Sequence, residues 1–140
     1  MCIRDSTGTQ YKGEGVVAGI IDTGLNLGHP SFAATGQDGY VHTNPLGSGN
    51  YLGLCLSNPG TYVCNNKTYG FYIYTGEVSE DGDGHGSHTG STTAGNYLQP
   101  GTVDLSPYNL YSPAISGVAP HANIIGYKAC LDVGLSLIHI

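Results

Sequence analysis

The 140-residue sequence has no tryptophan, one methionine and only four lysines and arginines. Charged residues make up 10% of it, against about 25% in an ordinary domain. With ten acidic residues the net charge is −6. Four scattered cations exclude a nucleic-acid partner, because affinity for phosphate comes mainly from Lys and Arg. Long apolar runs are also missing. The longest, residues 15–21, is far short of the roughly 20 residues that span a bilayer, so no membrane partner is expected. Met1 to Ser6 is too short and too polar for a signal peptide. What the chain does have is glycine, 23 residues, and tyrosine, 11 residues. The hydrophobic share of 39% argues against wholesale disorder. The length fits one modest domain or a piece of a larger one.

Both terminal hexamers read as foreign. Residues 1–6 and 135–140 resemble translated sequencing-adapter sequence, and the second stops inside an apolar run without a cap or turn. The expected biological part is therefore 7–134, with the gene continuing on both sides. Cys2 falls in the first hexamer, leaving Cys55, Cys64 and Cys130. Cys55 and Cys64 flank an eight-residue loop containing Pro59-Gly60, a strong turn dipeptide. A turn there brings two Cβ atoms within bonding range. A local disulfide and a pair of free thiols both fit this pattern; the disulfide would imply an oxidising compartment. Cys130 is left odd. Asn66-Lys67-Thr68 is a lone glycosylation sequon in the same region.

Gly15 to Ile21 is a continuous apolar run rich in β-branched residues, the pattern of a strand buried on both faces. Asp22-Thr23-Gly24 closes it. A carboxylate at the C-terminal end of a buried strand stands where open α/β sheets carry their sites. Tyr69, Phe71 and Ile73 alternate with Gly70, Tyr72 and Tyr74, which predicts a short strand. Residues 80–86 form a tight polar turn. Ser87 to Asn96 holds mainly Ser, Thr, Gly and Ala, weak helix formers that become helical only when packing imposes it. Residues 97–113 read as an irregular loop with three prolines. Gly117 to Pro120 is a turn, and Asn123 to Ala129 a second buried strand. Strand, helix, strand in this order predicts an α/β fold, a parallel sheet with flanking helices.

Asp22 at a strand end and His85 before a small-residue helix are the elements with chemistry. A histidine acting as base for a hydroxyl needs a partner that fixes its tautomer and stabilises its cation. A buried carboxylate accepting from Nδ1 supplies both. The order Asp, His, then a later Ser is the order of the subtilisin triad.

The residues carrying that order resemble the subtilisin-like serine proteases, or subtilases. Gly15-Val-Val-Ala-Gly-Ile-Ile-Asp22-Thr-Gly24 is similar to the family's aspartate motif. Gly84-His85-Gly86-Ser87-His88-Thr89-Gly90 is similar to its histidine motif, with Ser87 where the family has Thr. Gly117-Val-Ala-Pro120 followed by the Tyr127-Lys128 strand is a third match. Together these cover most of residues 13–130. The resemblance implies catalytic Asp22 and His85, with Thr23, Gly24, Gly86 and His88 as structural residues beside them. Asp81 and Asp83 serve the turn. The wide spacing of Asp22 and His85 leaves room for an insertion at roughly 33–80. Asp81-Gly-Asp83-Gly-His85-Gly and Cys64-Asn-Asn-Lys67 resemble the large plant-type subtilases and their bacterial relatives. In that branch the insertion's two cysteines pair, supporting Cys55 with Cys64, and a cysteine after the Tyr-Lys strand pairs downstream. The implied protein is secreted and acts on polypeptides. No cofactor is expected in this fragment, though calcium is open for the full-length protein.

One departure outweighs the matches. No Gly-Thr-Ser-Met-Ala stretch follows His85, so the nucleophilic serine and the oxyanion asparagine are expected in a missing C-terminal half of the same domain. As it stands the chain is expected to be inactive. Two other readings compete. A catalytically dead subtilase-like binding domain fits the same motifs. A metal-binding module would use Asp81, Asp83, His85 and His88. The latter fails the EF-hand template, since Thr92 stands at the twelfth position. It also fails HExxH, since Gly86 stands where that motif has Glu.

Overall fold

In the computed structural model, residues 10–103 and 112–132 are described. The two terminal hexamers and the middle of the 97–113 loop lie outside that set. Four strands form one parallel sheet in the order β1-β4-β3-β2. They are β1 (Val17–Asp22), β2 (Leu52–Gly53), β3 (Thr68–Ile73) and β4 (Asn123–Lys128). The helices are α1 (Leu54–Ser57) and α2 (His85–Ala94), with a 3-10 turn at Pro30–Phe32. The parallel β1–β4 pair with α2 between them in sequence is the α/β arrangement expected from the chain.

α2 starts at His85, two residues before the predicted helix. Gly84 adopts φ 89°, and the Asp83 carboxylate accepts a hydrogen bond from His85 N–H at 3.2 Å. That bond satisfies one of the amides a helix start leaves open. Small side chains let α2 lie against the sheet. A Cβ on Gly86 would sit 2.1 Å from the Gly24 carbonyl oxygen, closer than any packing permits.

The core lies on the α2 side of the sheet. Leu25, Leu27, Phe32, Phe71, Ala94 and Ile124 form one buried cluster with Ile20. The opposite face differs from the expectation of a strand buried on both sides. Val17 and Ile21 point away from α2, and Ile21 is 66% exposed. Register places Ile21 beside Tyr127 and Tyr127 beside Tyr72. Tyr72 stacks on Tyr127 with ring centroids 5.3 Å apart. No described element covers this face, so an apolar run proved compatible with one-sided burial.

Two further departures are local. A single-turn helix, α1, forms beside the cysteine loop. Leu98 and Ile115 bridge across the described ends of the 97–113 loop, giving that segment a paired base. Cys55 and Cys64 form a disulfide with Cα atoms 5.6 Å apart. Cys130 is buried and free among the described residues. Asn96 and Asn123 both serve the scaffold. Asn96 donates to the Pro30 and Ala33 carbonyls, and Asn123 to those of Thr43 and Asn66.

Candidate active site

The C-terminal ends of β1 and β4 and the N-terminus of α2 meet at one point. β1 delivers Asp22 there and α2 delivers His85. His85 Nδ1 lies 2.8 Å from Asp22 Oδ1 and 3.0 Å from Oδ2. A carboxylate only accepts, so the bond assigns the proton to Nδ1. Nε2 is then the nitrogen left for a reacting group, and the His85 side chain is 42% exposed. Asp22 is buried. Its Oδ1 also accepts from Thr23 N–H at 2.7 Å, and Oδ2 from Thr89 Oγ1 at 3.1 Å.

The two groups shift in opposite directions. Burial alone would raise the Asp22 pKa. The hydrogen bonds from His85, Thr23 N–H and Thr89 outweigh it and hold the carboxyl below its ordinary value of 3.8. The His85 pKa is raised above 6.5, first by the hydrogen bond to Asp22 and then by its charge; partial desolvation opposes this, and Asp83 and Asp81 add to it. A buried anion that fixes the tautomer of an accessible imidazole and favours the cation formed when it takes a proton is the arrangement a histidine base uses.

The backbone around Asp22 is pinned from several sides. Its carbonyl accepts from the amides of Ala129 and Cys130 at 2.9 and 3.1 Å. The fully buried Lys128 donates to the Thr23 carbonyl at 2.6 Å. Its ammonium is compensated by Glu77 at 3.0 Å and by Asp132. Gly24 takes φ 126°, and a Cβ there would sit 1.7 Å from the Glu80 carbonyl oxygen. Leu25 N–H donates to that same carbonyl at 3.1 Å. Glycine is thus required where the chain leaves β1 and passes under the 80–84 turn.

Of the residues singled out in the sequence, Asp22, Thr23, Gly24, His85 and Gly86 come together. His88 lies on the exposed side of α2, lining a shallow cleft with Asn26, His29 and Ser91. Asp81, Asp83, His85 and His88 do not converge. His85 turns to Asp22, and among the described residues no cluster of three His, Cys, Asp or Glu side chains could hold a metal. The metal-module reading therefore loses its geometry. A larger cavity of about 430 Å³, lined by Lys12, Asp38, Tyr97 and Val118, touches neither Asp22 nor His85.

Three contributors went unread in the sequence: Thr89, Lys128 and the full role of Asp81. Lys128 had a usable signal. Two adjacent parallel strands end together, one in Asp and the other in Lys, and the register pairs Asp22 with Lys128, which brings the lysine to the backbone that follows Asp22. Thr89 had a weaker one, its four-residue spacing from His85 on a helix.

Comparison with known proteins gives the family. The model of the subtilase family matches residues 13–140, and the chain belongs to that family. It is 34% identical over 120 residues to the subtilisin-like protease SBT4.13 of Arabidopsis thaliana, covering 86% of this chain. It is 35% identical over 145 residues to SBT2.1 and 36% over 138 residues to SBT2.2 of the same plant, covering 91% and 87% of this chain. The chain spans only 15–16% of the length of these relatives.

Proposed function

We propose that this chain carries the aspartate and histidine of an Asp-His-Ser triad in a secreted serine endopeptidase. The single observation carrying this reading is the bond from His85 Nδ1–H to the buried Asp22 carboxylate, with the Nε2 edge accessible. Asp22 holds the tautomer and stabilises the imidazolium. His85 Nε2 takes the proton of a serine hydroxyl as it attacks the peptide carbonyl, then returns it to the leaving amine. The serine belongs to the continuation of the same catalytic domain, of which residues 7–134 are a part with an insertion at roughly 33–80. These residues alone have no nucleophile to activate, so the chain by itself is inactive. The Cys55–Cys64 disulfide supports an oxidising, extracellular setting.

The test uses the complete protein encoded by the gene. Hydrolysis of a peptide substrate is expected, with labelling of one serine by a fluorophosphonate. By analogy with the triad losses measured in subtilisin itself, Asp22→Ala should lower kcat by about 10⁴-fold and His85→Ala by about 10⁶-fold. A complete protein with no fluorophosphonate-reactive serine would overturn the reading in favour of a catalytically dead binding domain.

A further inference from the structure

Asp81 does more than close a turn. Its carboxylate accepts four hydrogen bonds, two on each oxygen. Oδ1 accepts from Thr23 Oγ1 at 2.8 Å and from Gly84 N–H at 2.9 Å. Oδ2 accepts from Ser87 N–H at 2.8 Å and from Ser87 Oγ at 2.5 Å. These donors come from both elements of the site: Thr23 directly follows Asp22, the last residue of β1, and Ser87 stands in the first turn of α2.

We propose that Asp81 is a positioning residue for the Asp22–His85 couple, acting through Thr23 and the first turn of α2. The proposal deepens the protease reading and rests on it for what the couple is used for.

The argument turns on one hydroxyl. Thr23 Oγ1 donates to Asp81 and accepts from Gly86 N–H at 2.9 Å. A hydroxyl has one proton. By taking that proton, the Asp81 carboxylate turns the lone pairs of Thr23 toward Gly86. The residue after Asp22 and the residue after His85 are thereby joined through a single oxygen. There is no slack in this joint, because Gly86 already lies against the Gly24 carbonyl. Only a carboxylate serves all four donors. An asparagine would turn its NH₂ toward two of them, leaving N–H or O–H groups facing N–H. Small misplacements of catalytic groups cost rate steeply, which gives this tie its use.

A residue that merely closes the 81–84 turn would need only the Gly84 bond and would leave His85 untouched. A residue that acts only by its charge would behave like Asp83, which also faces His85 electrostatically but contributes only a bond to the His85 amide. These alternatives define the experiment. The His85 titration midpoint and its low-field Nδ1–H resonance are followed by NMR in the complete protein encoded by the gene. Wild type is compared with Asp81→Asn, Asp83→Asn and Thr23→Val, and Asp22→Asn marks complete loss of the couple. Asp81→Asn and Thr23→Val should each lower the midpoint further than Asp83→Asn and broaden or remove the low-field resonance. Thr23→Ser, which keeps the hydroxyl, should restore both. An Asp81→Asn midpoint no lower than that of Asp83→Asn overturns the proposal. If Asp81→Asn does not fold, Thr23→Val decides alone, since it changes no charge: an unshifted midpoint overturns the tie. The readout needs no peptidase activity. Absence of hydrolysis in the complete protein would sink the protease reading and leave this result standing.

Discussion

Two lysines are fully buried at opposite ends of the sheet, and they shift in opposite directions. Lys128 ends β4 at the candidate active site. Burial there disfavours its charge, but the hydrogen bonds it donates to Asp132 and Glu77, and their charges, outweigh this and raise its pKa above 10.5. Lys67 precedes β3 at the other end. Its ammonium donates to the Pro120 and Ala122 carbonyls at 2.9 and 3.1 Å, and among the described residues no carboxylate pairs with it. Burial therefore lowers its pKa to about 7, with Asp38 opposing only from a distance. Beside it His42 falls to about 4, through burial first and the Lys67 charge second. Both side chains are cut off from solvent, so loss of solvent contact alone does not decide the charge state. Counter-charge does. The surroundings of Lys128 are built to keep an ion, and those of Lys67 and His42 are built to lose them.

The largest expected effect comes from breaking the ion-keeping end. Lys128→Met removes the partner of Asp132 and Glu77 and the donor to the Thr23 carbonyl. Removing one partner of a buried pair costs about 3–5 kcal/mol. Glu77 and Asp132 are partly exposed, so about 3 kcal/mol is expected, measured by urea unfolding at pH 7. A loss under about 1 kcal/mol would mean the pair is no different from a surface one.

The next effect tests the ion-losing end, and its sign depends on pH. A lysine neutral in the fold from about pH 7 and charged when unfolded up to 10.5 binds more protons unfolded across that window. Stability then rises with pH between these values and is lowest below about 7. Lys67→Met leaves two carbonyls without their donor, at about 1 kcal/mol each, so it should cost about 2 kcal/mol near pH 10. Near pH 7 and below, it also removes a buried cation, and the cost should shrink or reverse. An equal cost at both pH values would show that Lys67 titrates as it does in water. His85 runs the other way. Its raised pKa contributes stability that is present below 6.5 and lost as the pH rises through the folded value.

How much of this was legible beforehand follows the same division. The Asp22–His85 couple was readable because each motif is contiguous and its residue types are demanded by chemistry. The strand-helix-strand order was readable from composition. The uncovered sheet face was not, because an all-apolar run such as residues 15–21 does not say how many of its faces find a partner. The Lys128 contacts depend on strand register, and the Lys67 and His42 environment on side chains 25 residues apart in sequence. The Asp81 network escaped for another reason. A turn role explained that residue completely, so nothing in the sequence asked for more.

The smallest effect sharpens what the ion-keeping end needs. Thr89→Val keeps the shape of the side chain and removes the hydroxyl whose single proton is shared between Asp22 Oδ2 and the Gly86 carbonyl, both at 3.1 Å. Asp22 retains His85 and the Thr23 amide. A loss of about 1 kcal/mol is expected, with the Asp22 pKa rising toward 3.8, because a bond favouring the carboxylate is gone. That stability term is present above pH 3.8 and is lost as the pH falls through the folded value, so the variant should differ least from wild type in acid. The His85 midpoint, set first by its own bond to Asp22, should move far less than in Asp22→Asn. If Thr89→Val lowers that midpoint as much as Asp22→Asn does, then neutral donors and not counter-charge hold the imidazolium, and the contrast between the two ends of the sheet fails at the site itself.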